Sequence, residues 1–192
     1  MKLYRPVKIN KINQYFGKDK TWSELLPFYQ SLGLEGHNGL DYATPNGTPI
    51  YFGGTGHGLV EAIYWDYYGG NSLQIIVWGE RTLRLVFYHL QEIKVKVGQV
   101  VDTADLLGYT NNSGAGTTGP HLHYEIKEVE VDDFGNFQTI NKDNGYKGAI
   151  DPTQFDTGIF VVDYMDGLKA QIGIISKIIE LLKKLLGKQK KF

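Results

Sequence analysis

Apolar and polar residues alternate through Pro120-His121-Leu122-His123-Tyr124-Glu125-Ile126. Successive side chains of an extended chain point to opposite faces, so Leu122, Tyr124 and Ile126 share one face and His121, His123 and Glu125 the other. This predicts a half-buried strand that begins at His121, just after a Gly-Pro closing a loop rich in Gly, Ser, Thr and Asn. Comparable patterns predict short strands over 48–52, 59–65, 73–78, 83–89, 93–97, 97–101 and 106–109, and a return strand over 137–140. Turn signals such as Asn46-Gly47, Gly69-Gly70-Asn71 and Trp78-Gly79-Glu80-Arg81 separate them. The run Leu83-Arg84-Leu85-Val86-Phe87-Tyr88-His89 is too continuously apolar for a strand wet on one side, and it ends on a histidine.

Two stretches have helical rather than alternating period. Residues 21–32, with apolar positions Trp22, Leu25, Leu26, Phe28, Tyr29 and Leu32, fit a short helix with Thr21 or Ser23 as cap and Pro27 in the middle. From Leu168 the apolar positions run Leu168, Ile172, Ile175, Ile179, Leu182 and Leu186, with Ile174, Ile178, Leu181 and Leu185 as a second row beside them. Together they cover about half of a helix, with lysines opposite. The chain therefore divides into a β-rich domain over 1–160 and a C-terminal amphipathic helix over 161–192. This helix is too charged to span a bilayer, which needs about 20 predominantly apolar residues. Its expected uses are packing back on its own domain, self-association or docking to a larger assembly through 163–187, or lying on a membrane surface.

Composition supports a globular, mainly β chain: 42% hydrophobic and 21% charged among 192 residues, with 24 glycines and 13 tyrosines. A net charge of −1 gives no electrostatic footprint for nucleic acid. The balance is uneven, because seven lysines against Asp163, Asp166 and Glu180 leave +4 from residue 163 onward and −5 before it. The absence of cysteine rules out disulfides, thiolate ligands and a cysteine nucleophile. The N-terminal residues lack the apolar run of a secretory signal, so extracellular action would call for another route, such as riding on a phage particle, or for a leader already removed.

Chemistry concentrates on a few residues. In Gly36-His37-Asn38-Gly39-Leu40-Asp41 the imidazole and the carboxylate are four apart, a spacing that puts both on one face of an extended segment. His89 ends a strand, and His121 and His123 share a strand face. A catalytic zinc site needs three N or O ligands and an open position, and this set can supply them. An isolated His-x-His reads equally as one surface histidine and one satisfied by a hydrogen bond. His57, between two glycines, reads as a loop histidine, and Glu125 by itself reads as a solvated charge rather than an orienter of the histidines.

The segments Gly36–Asp41 and Gly119-Pro120-His121-Leu122-His123-Tyr124-Glu125 closely resemble the two signatures of lysostaphin-type (LytM-like) zinc endopeptidases, which cut peptidoglycan peptides. Gln14-x-Phe16-Gly17, Gly47-Thr48-Pro49, Gly70-Asn71, Tyr88-His89-Leu90, Val97-Gly98-Gln99 and Ile150-Asp151-Pro152 match in order, so the resemblance covers residues 12–155. It implies an antiparallel β fold with the site in a groove walled by loops. It further implies His37, Asp41 and His123 as ligands of one catalytic zinc, and His89 and His121 as catalytic histidines. No HExxH helix supplies a glutamate base, which leaves that role to His121 or His89, in an order the sequence does not assign. The resemblance also suggests a tyrosine near the site, for which Tyr29 is the candidate. Two alternatives stand beside an active endopeptidase of the cell wall. One is a non-catalytic structural or activator relative, against which all five positions are intact. The other is a zinc carboxypeptidase acting on D-Ala ends, whose first His and Asp are typically separated by six residues rather than the three here.

Overall fold

The computed structural model describes residues 1–18 and 22–189. Thr21, one of the two expected helix caps, lies outside the described residues, as do residues 190–192 and the side chains of Leu185 and Leu186. The chain opens with short strands β1 (Leu3–Arg5) and β2 (Ile12–Gln14), then helix α1 (Trp22–Ser31), β3 (Leu40–Tyr42) and β4 (Pro49–Tyr51). Three long strands follow, β5 (His57–Asp66), β6 (Gly70–Val77) and β7 (Leu83–Ile93), with the shorter β8 (Val100–Asp102) and β9 (Leu106–Thr110) after them. The last part holds β10 (Leu122–Val131), β11 (Phe137–Thr139), β12 (Ala149–Ile150), β13 (Asp156–Phe160) and the long helix α2 (Val161–Gln189).

The architecture is mainly β, as expected. One antiparallel sheet runs β2-β3-β10-β7-β6-β5-β8, with β11 and β12 paired to β10, and β9 linking β7 to β4. Separately, β1 and β13 pair in parallel and tie the N-terminus to the root of α2. The alternation seen in the sequence sorts the faces. Leu122, Tyr124 and Ile126 of β10 join Leu85 and Phe87 of β7 and Leu73 and Ile75 of β6 in the apolar core. On the other face, His123 pairs across the ladder with Tyr88 and Asp41, Glu125 with Val86, and Lys127 with Arg84.

That second face is not wet, and here the expectation of a half-buried strand fails. Residues Leu122 to Ile126 are all buried, and Glu125 is 3% exposed. Asn38, from the segment before β3, and Lys127 meet Glu125 there, contacts that local alternation does not reveal. Two boundary expectations also change. The ladder begins at Leu122, with His121 held by a single bridge to Asn111. No separate strand occupies 93–97: Ile93 ends β7, and Val95 is apolar because it packs into the core from a turn. His57 is the first residue of β5 rather than a loop histidine, exposed and hydrogen-bonded to Asp102.

Helix α1 forms despite Pro27, which removes one internal hydrogen bond. Its Tyr29 is buried, and its Phe28 meets Tyr68 at the β5–β6 turn, with ring centroids 6.0 Å apart. Helix α2 begins seven residues before the apolar stripe, because Val161 is still buried in the domain. Past its first turn α2 leaves the domain, so the expectation that it folds back on its own domain is not met. Ile172, Ile174, Ile175, Ile178, Ile179, Leu181 and Leu182 are between 47% and 60% exposed.

Candidate metal centre

Three elements converge on one point. His37 follows a turn and is clamped to Gly17 by reciprocal backbone bonds of 2.7 and 3.0 Å. Asp41 lies in β3 and His123 in β10, directly opposite one another in the ladder. The three ligand atoms form a tight triangle. His37 Nε2 is 3.0 Å from His123 Nδ1 and 3.2 Å from Asp41 Oδ1, and His123 Nδ1 is 2.8 Å from the same oxygen. Donors placed tetrahedrally at zinc–nitrogen distances of about 2.0–2.1 Å stand roughly 3.3 Å apart, so this donor set fits a small tetrahedral ion.

The nitrogens turned away from that point are already used. His37 Nδ1–H donates to the Tyr15 carbonyl at 3.0 Å, which leaves Nε2 with its lone pair toward the centre. His123 Nε2–H donates to Glu125 Oε1 at 3.2 Å, which leaves Nδ1. Glu125 is therefore an orienting carboxylate, as metal-binding histidines commonly have, and the reading of it as a solvated charge is wrong. It also accepts from Asn38 Nδ2 and pairs with Lys127 Nζ at 3.0 Å. Sequence reasoning misses both Asn38 and Lys127. Lys127 is findable, since it continues the 121, 123, 125 face by one more step of two.

In the metal-free protein the charge balance places a proton on His123 Nδ1, which a metal ion would displace. Burial pushes the Asp41 carboxyl up, but the charge of His37 and hydrogen bonds from His123 and His37 outweigh it and hold Asp41 well below the usual carboxylate range. Burial would lower His123, yet its bonds to Asp41 and Glu125 prevail and raise it to about 9. Glu125 is likewise lowered: burial opposes its charge, and Lys127 and His123 overcome that.

His121 and His89 stand beside the triangle. His121 Nδ1–H donates to the Gly119 carbonyl at 2.8 Å, and its Nε2 lies 3.6 Å from Asp41 Oδ1. His89 Nδ1–H donates to the Ser113 carbonyl at 2.7 Å, and the His89 and His121 rings are 4.4 Å apart. His89 adopts φ +60, a left-handed conformation rare outside glycine that clusters at functional sites. Backbone bonds to Gly69 and from Asn111 hold it there. Burial, then the neighbouring His121 and His123, lowers His89 to about 4, so it is neutral at physiological pH. Tyr29 also sits here, its ring 6.4 Å from that of His37 and its hydroxyl accepting from Gln14 Nε2. His57 is outside this cluster.

The profile of Peptidase family M23 matches residues 35–147, more than half of the chain, a span that contains His37, Asp41, His89, His121 and His123. The chain belongs to Peptidase family M23. Among M23-like relatives, the peptidoglycan DD-endopeptidase ShyA of Vibrio cholerae is 40% identical over 90 residues, which are 47% of this chain and 20% of ShyA. The chain thus matches about a fifth of the length of that relative. The catalytic domain of the antimicrobial peptidase lysostaphin from Staphylococcus simulans superposes with a TM-score of 0.55 at 25% identity, covering 76% of this chain and 90% of that domain. A zinc-containing peptidase from Vibrio cholerae gives a TM-score of 0.55 at 26% identity, over 77% of this chain and 38% of its own. The M23 family is one of metallopeptidases, and the triangle of His37, Asp41 and His123 is the group of His, Asp and Glu side chains suited to a metal among the described residues.

Proposed function

We propose that this protein is a zinc-dependent endopeptidase that hydrolyses peptide cross-links or cross-bridges of bacterial peptidoglycan, with His37, Asp41 and His123 as zinc ligands. The observation that carries the reading is the convergence of three ligand atoms whose histidine rings are each fixed by a hydrogen bond at the far nitrogen, beside two further histidines fixed the same way. ShyA and lysostaphin, both similar to this chain, support the substrate class. When bound, zinc supplies Lewis acidity toward a peptide carbonyl and lowers the pKa of water.

The chain's own residues then have separate tasks. His121, locked through Nδ1–H to Gly119, turns its Nε2 toward the centre, 3.6 Å from Asp41, and would take the proton of the attacking water. The same nitrogen returns that proton to the leaving amine. His89 stays neutral, and its ring beside His121 offers a second acceptor that holds the water in line. Asp41, half-buried and ionised, fixes the imidazoles that face it. The Tyr15 carbonyl and Glu125 keep the histidine ligands from turning.

Two variants separate binding from turnover. His123→Ala should lose zinc and cleavage together, whereas His121→Ala should keep zinc and lose about 10²–10⁴ in turnover. Purified sacculi serve as substrate, with new amine and carboxyl ends identified by mass spectrometry and zinc counted by elemental analysis. Full activity in His121→Ala would sink the assignment of the base. Absence of new ends across several wall types from a zinc-loaded protein would make the chain a non-catalytic relative.

A further inference from the structure

Helix α2 carries charge and apolar surface that the peptidase site does not use. It is rooted in the domain by the buried Phe160 and Val161, and Tyr164 stacks on Tyr4 with ring centroids 4.0 Å apart. Beyond that root, every residue from Asp166 to Lys183 is exposed. At about 100° per residue, Leu168, Ile172, Ile175, Ile179 and Leu182 together with Ile174, Ile178 and Leu181 fill roughly half of the helix circumference, interrupted by Gln171 near the root. Lys183 and Lys177 fall at the two edges of this arc, and Glu180 falls at the middle of the polar side.

We propose that α2 lies in the plane of a membrane surface bearing anionic lipid headgroups, with its apolar arc in the acyl boundary and its lysines at the headgroups. Width is the first argument. A two-stranded coiled coil covers only a narrow seam and would leave Ile174, Ile178 and Leu181 in water, whereas an interfacial helix immerses a half-cylinder. Charge is the second. From residue 177 onward, Lys177, Lys183, Lys184, Lys188, Lys190 and Lys191 face Glu180 alone, while residues before 163 carry −5. Packing such helices side by side concentrates like charge, but an anionic surface attracts them and leaves the acidic domain outward. Lysines at the arc's edges bury their stems and extend their ammonium groups to the headgroups. Among the described residues no helix is long and apolar enough to cross a membrane, so the geometry is that of lying on the surface.

The test uses the full chain, sedimented with vesicles of pure phosphatidylcholine or of phosphatidylcholine with one-third phosphatidylglycerol, and by analytical ultracentrifugation without lipid. Binding to the anionic vesicles should be at least tenfold tighter than to the neutral ones and should weaken with salt. Ile175→Asp with Ile179→Asp should abolish it, and Lys177→Glu with Lys183→Glu should remove the preference for phosphatidylglycerol. Zinc content, unchanged in both double variants, shows that the domain is intact. A stable oligomer that ignores vesicles and falls apart in the Asp variant would assign the arc to a second copy and overturn the proposal. A monomer that sediments with neither vesicle, or equally with both, overturns it as well.

Discussion

Gly39→Ala tests whether the site is as tightly built as its geometry implies. Gly39 sits between the two proposed ligands of the first segment, and a Cβ there would lie 2.6 Å from the Tyr124 carbonyl oxygen and 2.9 Å from Cε1 and Nε2 of His123. Neither neighbour can yield cheaply. Tyr124 is paired to Leu40 on one side and Phe87 on the other, in the middle of the sheet, and the His123 ring is held by Asp41 and Glu125 at its two nitrogens. Overpacking of this kind costs about 1–3 kcal/mol. For a domain of this size that lowers Tm by roughly 2–12 °C. Ligand distances tolerate only about ±0.2 Å, so a ring displaced by several tenths of an ångström should weaken zinc by about 10–100-fold. Competition with a chromophoric chelator measures the affinity, and melting in the presence of chelator isolates the metal-free stability. A Gly39→Ala protein with wild-type zinc affinity and unchanged metal-free Tm would refute the reasoning, because the contact would then be soft.

Three further outcomes follow from the same neighbourhood. Glu125→Gln leaves Lys127 facing an uncharged amide in a buried layer and should cost about 3 kcal/mol in urea unfolding of the metal-free protein, with zinc weakened about 10–100-fold. Gly114→Ala, at φ +90 with a Cβ that would overlap the Tyr68 carbonyl oxygen, should shift the loop whose Ser113 carbonyl holds His89. Turnover on sacculi should fall by about 10²-fold while zinc content stays at wild type. Metal-free protein should be most stable near pH 6.5, because two buried histidines titrate in opposite senses. His89, lowered to about 4, is protonated only in the unfolded chain between 4 and 6.5, so stability rises with pH there. His123, raised to about 9, is protonated only in the folded chain between 6.5 and 9, so its contribution is complete below 6.5 and lost through 9. A urea-midpoint profile that climbs steadily from pH 6.5 to 9 in chelator would contradict this.

Period and spacing carry far along the chain where the cause is local. Alternation located β10 and its two faces, because a pleated strand enforces period two whatever surrounds it. It could not tell a solvated polar face from a buried one: Glu125 is met by Asn38, 87 positions away in sequence, and by Lys127. Val95 shows the converse, an apolar residue that reads as strand but is a turn residue reaching the core. The parallel pairing of β1 with β13 joins segments about 150 residues apart and leaves no local mark. The stripe of α2 was legible from Leu168 onward, while the first residues of the helix, from Val161, do not show it because Val161 is buried in the domain. Likewise the histidines were visible as candidates, but the carbonyls that orient them were not, since any residue type supplies a backbone oxygen.

Those backbone oxygens explain how four imidazoles can share one small site without disorder. Tyr15, Ser113 and Gly119 each take the Nδ1–H of one histidine, and Glu125 takes Nε2–H of the fourth. Each bond fixes a ring's orientation and turns the opposite nitrogen toward the site; on His123 that nitrogen holds a proton against Asp41, which a metal ion would displace. His123 is the exception in using Nδ1 inward, because it faces Asp41 directly across the ladder and the nearer ring nitrogen meets the carboxylate. Three of the four orienting groups cannot be removed by substituting a side chain. They can be moved only by deforming the loops that carry them, which is why the glycines beside those loops control the chemistry more strongly than their lack of functional groups suggests. Gly114 next to Ser113, Gly70 against the Ser113 carbonyl itself and Gly39 beneath His123 are positions where a single added methyl group reaches an oriented imidazole through the backbone or the ring itself.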